Sequence, residues 1–234
     1  MTSKNMRFLS WNIHGFVGAD GRHDPARIDR AISNISPDIA AFQEVECRGD
    51  ETSRSKTADG LRKAVGDHGH YAWSIITPDR HYGQMLASRH PIQSGKIHDI
   101  SLDGHEPRRV IEAVIRSGKK GRVRVLATHF GLKIRERRHQ IAILRRLITS
   151  DWSLPLIVMG DFNNWLMERR KTGLAGVMAD RTGLRTFPSR FPLLPLDRIW
   201  SRPAGMIGQA RTYPEYRQAS DHLPLTAEIQ IPGS

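Results

Sequence analysis

Cysteine is almost absent from this chain. The single residue, Cys47, permits no intramolecular disulfide and no cysteine-based zinc site. Such usage fits a reducing cytoplasm, which is the expected compartment. Long apolar runs are missing too. No stretch reaches the roughly 18 consecutive apolar residues that a transmembrane helix needs. Residues 1–12 lack an apolar stretch followed by a small-residue cleavage site, so they read as the start of a strand and not as a secretory signal. Acidic residues are in the minority: 24 Asp and Glu face 36 Lys and Arg, for a net charge of +12. A surface so biased attracts polyanions such as nucleic acid, anionic lipid headgroups or phosphorylated small molecules, without choosing among them. No long basic, aromatic-containing insertion is present to wedge into a duplex. No amphipathic helix with exposed aromatics marks a membrane-surface segment.

What is present suffices for a folded core. Hydrophobic residues make up 38% of 234 positions. With no internal repeat and no linker, one domain over 1–234 is expected. Residues 6–12 read as a buried strand. Asp24-Pro25 is a helix start, with Asp as N-cap and Pro at the first helical position. Ile28, Ala31, Ile32 and Ile35 then keep helical spacing. The short apolar run 38–44 reads as a strand, the polar stretch 47–56 as a loop and 58–65 as a short helix. Strands are expected over 71–77, 83–88 and 92–100, and a hairpin over 110–116 and 122–128, whose Gly-containing turn suits it.

The best helix pattern is 135–148, where Ile141, Leu144, Leu147 and Ile148 form one stripe. Residues 154–159 read as a buried strand, 168–180 as containing a short helix and 187–195 as a Pro-rich loop. Late strands are expected over 196–200 and 223–231. Helices and strands alternate without a clean βαβ rhythm, and hairpins interrupt them. That pattern favours an α/β fold of the α+β type, two packed mixed sheets with outer helices, over a purely parallel sheet.

The chemistry collects at the C-terminal ends of apolar runs. Asn12, Glu44, His129 and the pair Asp161 and Asn163 each follow such a run. Strand ends on a rigid scaffold present side chains to a cleft. Carboxylate and carboxamide oxygens are hard ligands suited to Mg²⁺ or Mn²⁺. Glu44, Asp161 and Asp221 would repel one another if brought together without a cation. His129 and His222 suit phosphate binding or proton transfer.

Six strings occur in order: Ser10-Trp11-Asn12-Ile13, Phe42-Gln43-Glu44-Val45, Thr128-His129-Phe130, Gly160-Asp161-Phe162-Asn163, Leu196-Asp197-Arg198-Ile199 and Ser220-Asp221-His222-Leu223-Pro224. Together they resemble the endonuclease/exonuclease/phosphatase superfamily, which is DNase I-like, and the resemblance covers nearly the whole chain. It implies a four-layered α/β/β/α sandwich with the site at one end of two sheets. It also implies a Mg²⁺- or Mn²⁺-dependent phosphoesterase. By the same resemblance, Asn12, Glu44 and Asp221 would serve the metal. Asp161 and Asn163 would handle the attacking water and the scissile phosphate. His222 would contact phosphate, with Asp197 orienting it. His129 occupies a position that is His in DNase-like and sphingomyelinase-like members and Tyr in abasic-site endonucleases.

Arg108 and Arg109, which precede a strand, and Trp165, just beyond Asn163, are further candidate phosphate or substrate contacts. His14 reads as a loop histidine. Cys47 is expected to be inert. The expected substrate is a phosphodiester, with a slight lean to nucleic acid. Lipid headgroups and inositol or sugar phosphates are the alternatives.

Overall fold

The computed structural model describes residues 5–118, 121–163 and 173–232. Two six-stranded sheets account for most of them. The first contains β1 (Asn5–Asn12), β2 (Ile39–Arg48), β3 (His68–Thr77), β4 (Arg80–Ser88), β11 (Ile207–Thr212) and β12 (Leu225–Gln230), in the order β11-β12-β1-β2-β4-β3. The second contains β5 (Ile92–Asp99), β6 (Arg109–Ser117), β7 (Gly121–His129), β8 (Leu156–Asp161), β9 (Asp180–Arg181) and β10 (Asp197–Arg202), in the order β5-β6-β7-β8-β10-β9.

Each sheet is antiparallel except for one pair. β1 and β2 run parallel, joined by helix α1 (Pro25–Ile35). β7 and β8 also run parallel, joined by α3 (Ile134–Thr149). A parallel pair needs a crossover of this kind, because a tight turn cannot return the chain to the same end. α2 (Glu51–Val65) completes the α-helices among the described residues.

Three apolar clusters define four layers. Leu9, Trp11, Ala40 and Phe42 pack outward against Ile28 and Ile32 of α1 and Leu61 of α2. Leu126, Leu156, Val158 and Trp200 pack outward against Ile141, Leu144 and Ile148 of α3. Between the sheets lie Met6, Phe8, Ile39 and Ala41 from one and Val123, Val125, Ile157, Met159 and Ile199 from the other. The α/β/β/α sandwich of two mixed sheets is therefore as expected.

Alternate residues of a strand face opposite sides, and that rule places the chemistry. Val123, Val125 and Ala127 face the intersheet core, so His129 is next in their series. Ile157 and Met159 lead in the same way to Asp161, Ile199 to Asp197, and Met6 and Phe8, by way of Ser10, to Asn12. The polar site is the end of the intersheet core, where the apolar series runs out at one edge.

Several boundaries differ from expectation. The stretch 47–56 is not a loop: β2 continues to Arg48 and α2 begins at Glu51, capped by the Asp50 carboxylate, which accepts from the Ser53 N–H at 2.8 Å. The first turns of α2 carry almost no buried side chain, so their helix shows no apolar periodicity. β11 escaped notice because it is a half-exposed edge strand of mixed residues. Residues 164–172, and with them the first five positions of the stretch 168–180 in which a short helix was expected, lie outside the described residues. The rest of that stretch contains a 3-10 turn at Leu174–Gly176 and the start of β9.

Gly160 carries a positive φ of 147° one residue before Asp161. A β-carbon there would run into the Thr128 carbonyl of the neighbouring strand. Gly160→Ala is expected to destabilise the fold by at least about 1–3 kcal/mol from backbone strain alone. Thermal unfolding would show it as a lowered Tm, and a Tm equal to that of the unaltered chain would refute this account of the position.

Candidate active site

Strand register brings the second sheet's contribution together. His129 on β7 stands directly beside Asp161 on β8, and Asp197 on β10 stands on the other side of Asp161. From the first sheet come Asn12, at the end of β1, and Glu44 on β2. Glu44 sits in a bulge of β2 between Phe42 and Val45, with a φ of 55°. Phe42 and Val45 both face the helices, so the chain has taken in one extra residue there. Such a bulge re-aims a side chain. It turns Glu44 towards the site at a backbone cost of about 1–3 kcal/mol.

Asn12 bridges the sheets. Its Nδ2 donates to Glu44 Oε1 at 2.8 Å and to Asp161 Oδ2 at 3.2 Å, while its Oδ1 accepts from the His14 backbone N–H at 3.0 Å. Every polar atom of the carboxamide is thereby used. His222 arrives on the segment before β12, which is clipped to β1 twice. Trp11 Nε1 donates to the His222 carbonyl at 3.0 Å, and Ser220 Oγ donates to the Asn12 carbonyl at 2.7 Å. The His222 ring lies against Phe187, with centroids 4.8 Å apart.

The charges are paired with little waste. His222 Nδ1 donates to Asp197 Oδ2 at 2.8 Å, and Thr186 Oγ1 donates to the same oxygen at 2.5 Å. Asp197 is fully buried, and its Oδ1 has no hydrogen-bond partner among the described residues. His222 Nε2 points to Asp161 Oδ2 at 3.8 Å. Burial works against a charged His222, but the carboxylates of Asp197 and Asp161 outweigh it and push the ring up to about 10. Burial pushes the Asp161 carboxyl up to about 6; the His222 charge acts against this shift and the Asp197 charge adds to it. Asp161 Oδ1 is held by the Asn163 N–H at 2.9 Å.

His129 is in a different state. It is 5% exposed, and burial, then the positive charges of Arg108 and His222, hold it well below the usual histidine range. Its Nε2 lies 3.6 Å from Asp161 Oδ2 and 3.9 Å from Glu44 Oε1. Asn163, at a φ of 47°, donates from Nδ2 to the Phe130 carbonyl at 2.8 Å.

Seven expected residues thus converge: Asn12, Glu44, His129, Asp161, Asn163, Asp197 and His222. Asp221 sits at the margin, more than a third exposed, with its Oδ1 3.9 Å from His14 Nδ1. His14 therefore borders the site and is not merely a loop residue. Trp165 lies outside the described residues. The Arg109 guanidinium does not face the cluster; it is held by its cross-strand neighbour Asp99 at 2.7 Å and by Ser101 Oγ at 2.8 Å. Its neighbour Arg108 reaches the site instead, through His129. Of the candidate pair it is therefore Arg108 and not Arg109 that meets the cluster, and Thr186, as a support of Asp197, went unnoticed in the sequence. Arg108 precedes the strand, so alternation says nothing of its direction, and Thr186 lies in a loop with no pattern. Cys47 is buried among apolar side chains, and burial pushes its thiol up to about 12, which makes it inert as expected.

The donors available to a cation are carboxylate and carboxamide oxygens, with no thiolate near them. Asp161, Asp197 and His222 offer three atoms within 4.8 Å of one another. In that trio His222 and Asp197 already satisfy each other. Glu44, with its side chain 24% exposed, and Asp221 retain oxygens that face open space. This set fits a hard divalent cation such as Mg²⁺ or Mn²⁺.

Known proteins share this fold. The sequence profile of the Endonuclease/Exonuclease/phosphatase family matches residues 9–222. The uncharacterized protein YbhP of Escherichia coli (strain K12) is 30% identical over 249 residues, covering 97% of each chain. The fold is similar to an endonuclease/exonuclease/phosphatase from Beutenbergia cavernae, with a TM-score of 0.78 at 21% identity over 98% of this chain and 72% of that one. It is also similar to the mannosyl-6-phosphatase Bt3783 of Bacteroides thetaiotaomicron, with a TM-score of 0.72 at 15% identity over 96% of this chain and 99% of that one. On the family match over residues 9–222 and the 30% identity to YbhP along almost its whole length, the chain belongs to the endonuclease/exonuclease/phosphatase family, whose members are phosphoester hydrolases.

Proposed function

We propose that this protein hydrolyses a phosphodiester by in-line attack of water, using a divalent cation, Mg²⁺ or Mn²⁺, with nucleic acid as the first substrate class. One observation carries the reading. A carboxylate raised towards neutrality, Asp161, stands between a cationic histidine and the hydrogen-bonding groups of Asn12 and His129, all aimed at one point between the sheets.

A general base works best when its proton affinity lies near the operating pH. Asp161 meets that condition, and it orients the water and takes its proton. His222 stays protonated across the neutral range and donates to a non-bridging oxygen, where charge collects in the transition state. Asp197 holds the ring in place and sustains its charge. Asn163, pinned by the Phe130 carbonyl, lines the same space. Glu44 and Asp221, with Asn12 supporting Glu44, would hold the cation, which when bound neutralises charge on the phosphate and leaving oxygen.

The net charge of +12 supports an anionic substrate, and nucleic acid is the most highly charged of the candidates. A second reading, a lipid headgroup phosphodiester, is favoured by exposed apolar side chains on the loops and the start of α3 that adjoin the site. Leu132 and Ile134 follow His129, and Phe191 and Leu193 lie on the loop that carries Phe187.

Asp161→Ala and His222→Ala are each expected to lower Mg²⁺-dependent turnover on the order of 10²–10⁴-fold while leaving far-UV circular dichroism unchanged. Rates like those of the unaltered chain in either variant would remove the assignment. The substrate follows from a panel of plasmid, abasic duplex, single-stranded RNA, phosphatidylglycerol, sphingomyelin and inositol phosphates, with Asp161→Ala as the blank. Cleavage of a nucleic acid that weakens steeply with added salt is the expected result. Hydrolysis of a lipid alone selects the second reading, and hydrolysis of nothing above the blank refutes both.

The pH dependence has a definite sign. His222 is raised from its ordinary 6.5 to about 10. Its charge pair therefore contributes fully to stability below about 6.5 and loses that contribution as pH rises through about 10. Asp197→Asn removes the strongest charge that holds the ring protonated, so the alkaline limb of the kcat–pH profile is expected to move to lower pH. An unmoved limb would show that His222 does not depend on Asp197.

A further inference from the structure

The two site histidines are held in opposite ways. His222 Nδ1 meets a carboxylate oxygen. His129 Nδ1 meets the Nη1 of Arg108 at 2.8 Å, and both side chains are buried, that of Arg108 to 9% exposure. A guanidinium has five N–H donors and no acceptor. At 2.8 Å the ring nitrogen opposite it must supply the lone pair. A neutral imidazole carries one proton, so it resides on Nε2.

The surroundings of Nε2 agree with that placement. Asp161 Oδ2 at 3.6 Å and Glu44 Oε1 at 3.9 Å are acceptors. Asn163 Nδ2 at 3.4 Å is a donor that already serves the Phe130 carbonyl at 2.8 Å. If Asn163 donated to Nε2 instead, the proton would move to Nδ1 and face the guanidinium. The two contacts compete, and the shorter one, with a charged donor, is the stronger. Arg108 is itself fixed from behind, with Nη1 3.4 Å from Glu106 Oε1 and its backbone N–H on Ser101 Oγ at 3.0 Å.

We infer that Arg108 is a positioning residue that locks His129 as an Nε2–H hydrogen-bond donor, so that His129 contacts a phosphate oxygen and carries no proton to the leaving group. The inference rests on the hydrolytic reading for its role in turnover but not for the state of the ring. In this arrangement the proton of the attacking water goes to Asp161, while His129, like His222, keeps its own proton throughout. The Arg108 guanidinium touches the ring and not the reacting atoms, so it acts through orientation.

The test reads the ring directly. Long-range ¹H–¹⁵N spectra of the full chain labelled at histidine, with and without Mg²⁺, are expected to show His129 protonated at Nε2 and bare at Nδ1. Arg108→Met, which keeps length and removes the donor, should transfer at least part of the population to Nδ1–H. It should lower kcat about tenfold or more with a smaller change in KM, the mark of an interaction strongest in the transition state. Arg108→Lys restores a donor and should recover the Nε2–H form and most of kcat. A protonated Nδ1 in the unaltered chain overturns the inference, as does an unchanged ring in Arg108→Met. If Arg108→Met does not fold, the spectrum of the unaltered chain decides alone. An Nε2–H ring in a chain that cleaves no phosphoester supports the lock and refutes the hydrolytic reading instead.

Discussion

A carboxylate only 1% exposed, at the seam between two sheets, is the constraint that the rest of the site answers to. Taking an ionised Asp161 out of water costs several kcal/mol unless its oxygens are hydrogen-bonded and its charge opposed. The structure supplies both. Asn163 and Asn12 donate to the two oxygens, and His222 brings a positive charge within 3.8 Å. His222 in turn needs Asp197 to stay charged while buried, and Asp197 needs Thr186. Each group is there because the previous one would otherwise be unaffordable in a dry seam. The remaining shortfall leaves the Asp161 carboxyl raised to about 6.

The fold makes this seam from ordinary parts. Two parallel pairs, β1–β2 and β7–β8, sit within the two sheets, and both end at the same edge of the sandwich. Period-two alternation carries the intersheet face of each strand from apolar residues to His129, Asp161, Asp197 or Asn12 without a change of geometry. One bulge in β2 adds Glu44 to that face. Rigidity comes with the arrangement, because each site residue except Asn163, Asp221 and His222 belongs to a strand paired on both sides or to a bulge pinned between partners. His222 compensates through the clips from Trp11 and Ser220.

The two histidines show how neighbours assign different chemistry to one residue type. A carboxylate behind His222 makes it a cation; a guanidinium behind His129 makes it a neutral donor. Positive surface charge then acts at longer range, favouring anionic substrates of any kind. Among the described residues, no helix is long and apolar enough to cross a membrane.

The core strands and α1 and α3 were legible because their burial is one-sided and therefore periodic. The N-terminal half of α2 and the edge strand β11 were not, since exposed segments carry no apolar period. The same limit applied to the site. Ordered strings such as Gly160-Asp161-Phe162-Asn163 and Ser220-Asp221-His222 named its members. Nothing local in them distinguished Arg108 from Arg109, because the choice depends on Asp99 standing opposite Arg109 across a strand pair and on His129 reaching the end of β7. The sequence by itself determined which side chains are available and which face of each strand they occupy, because alternation is a local property of the chain. Only the tertiary structure decided which of them meet and which proton each histidine keeps, because those depend on distances of a few ångströms between residues far apart in the chain.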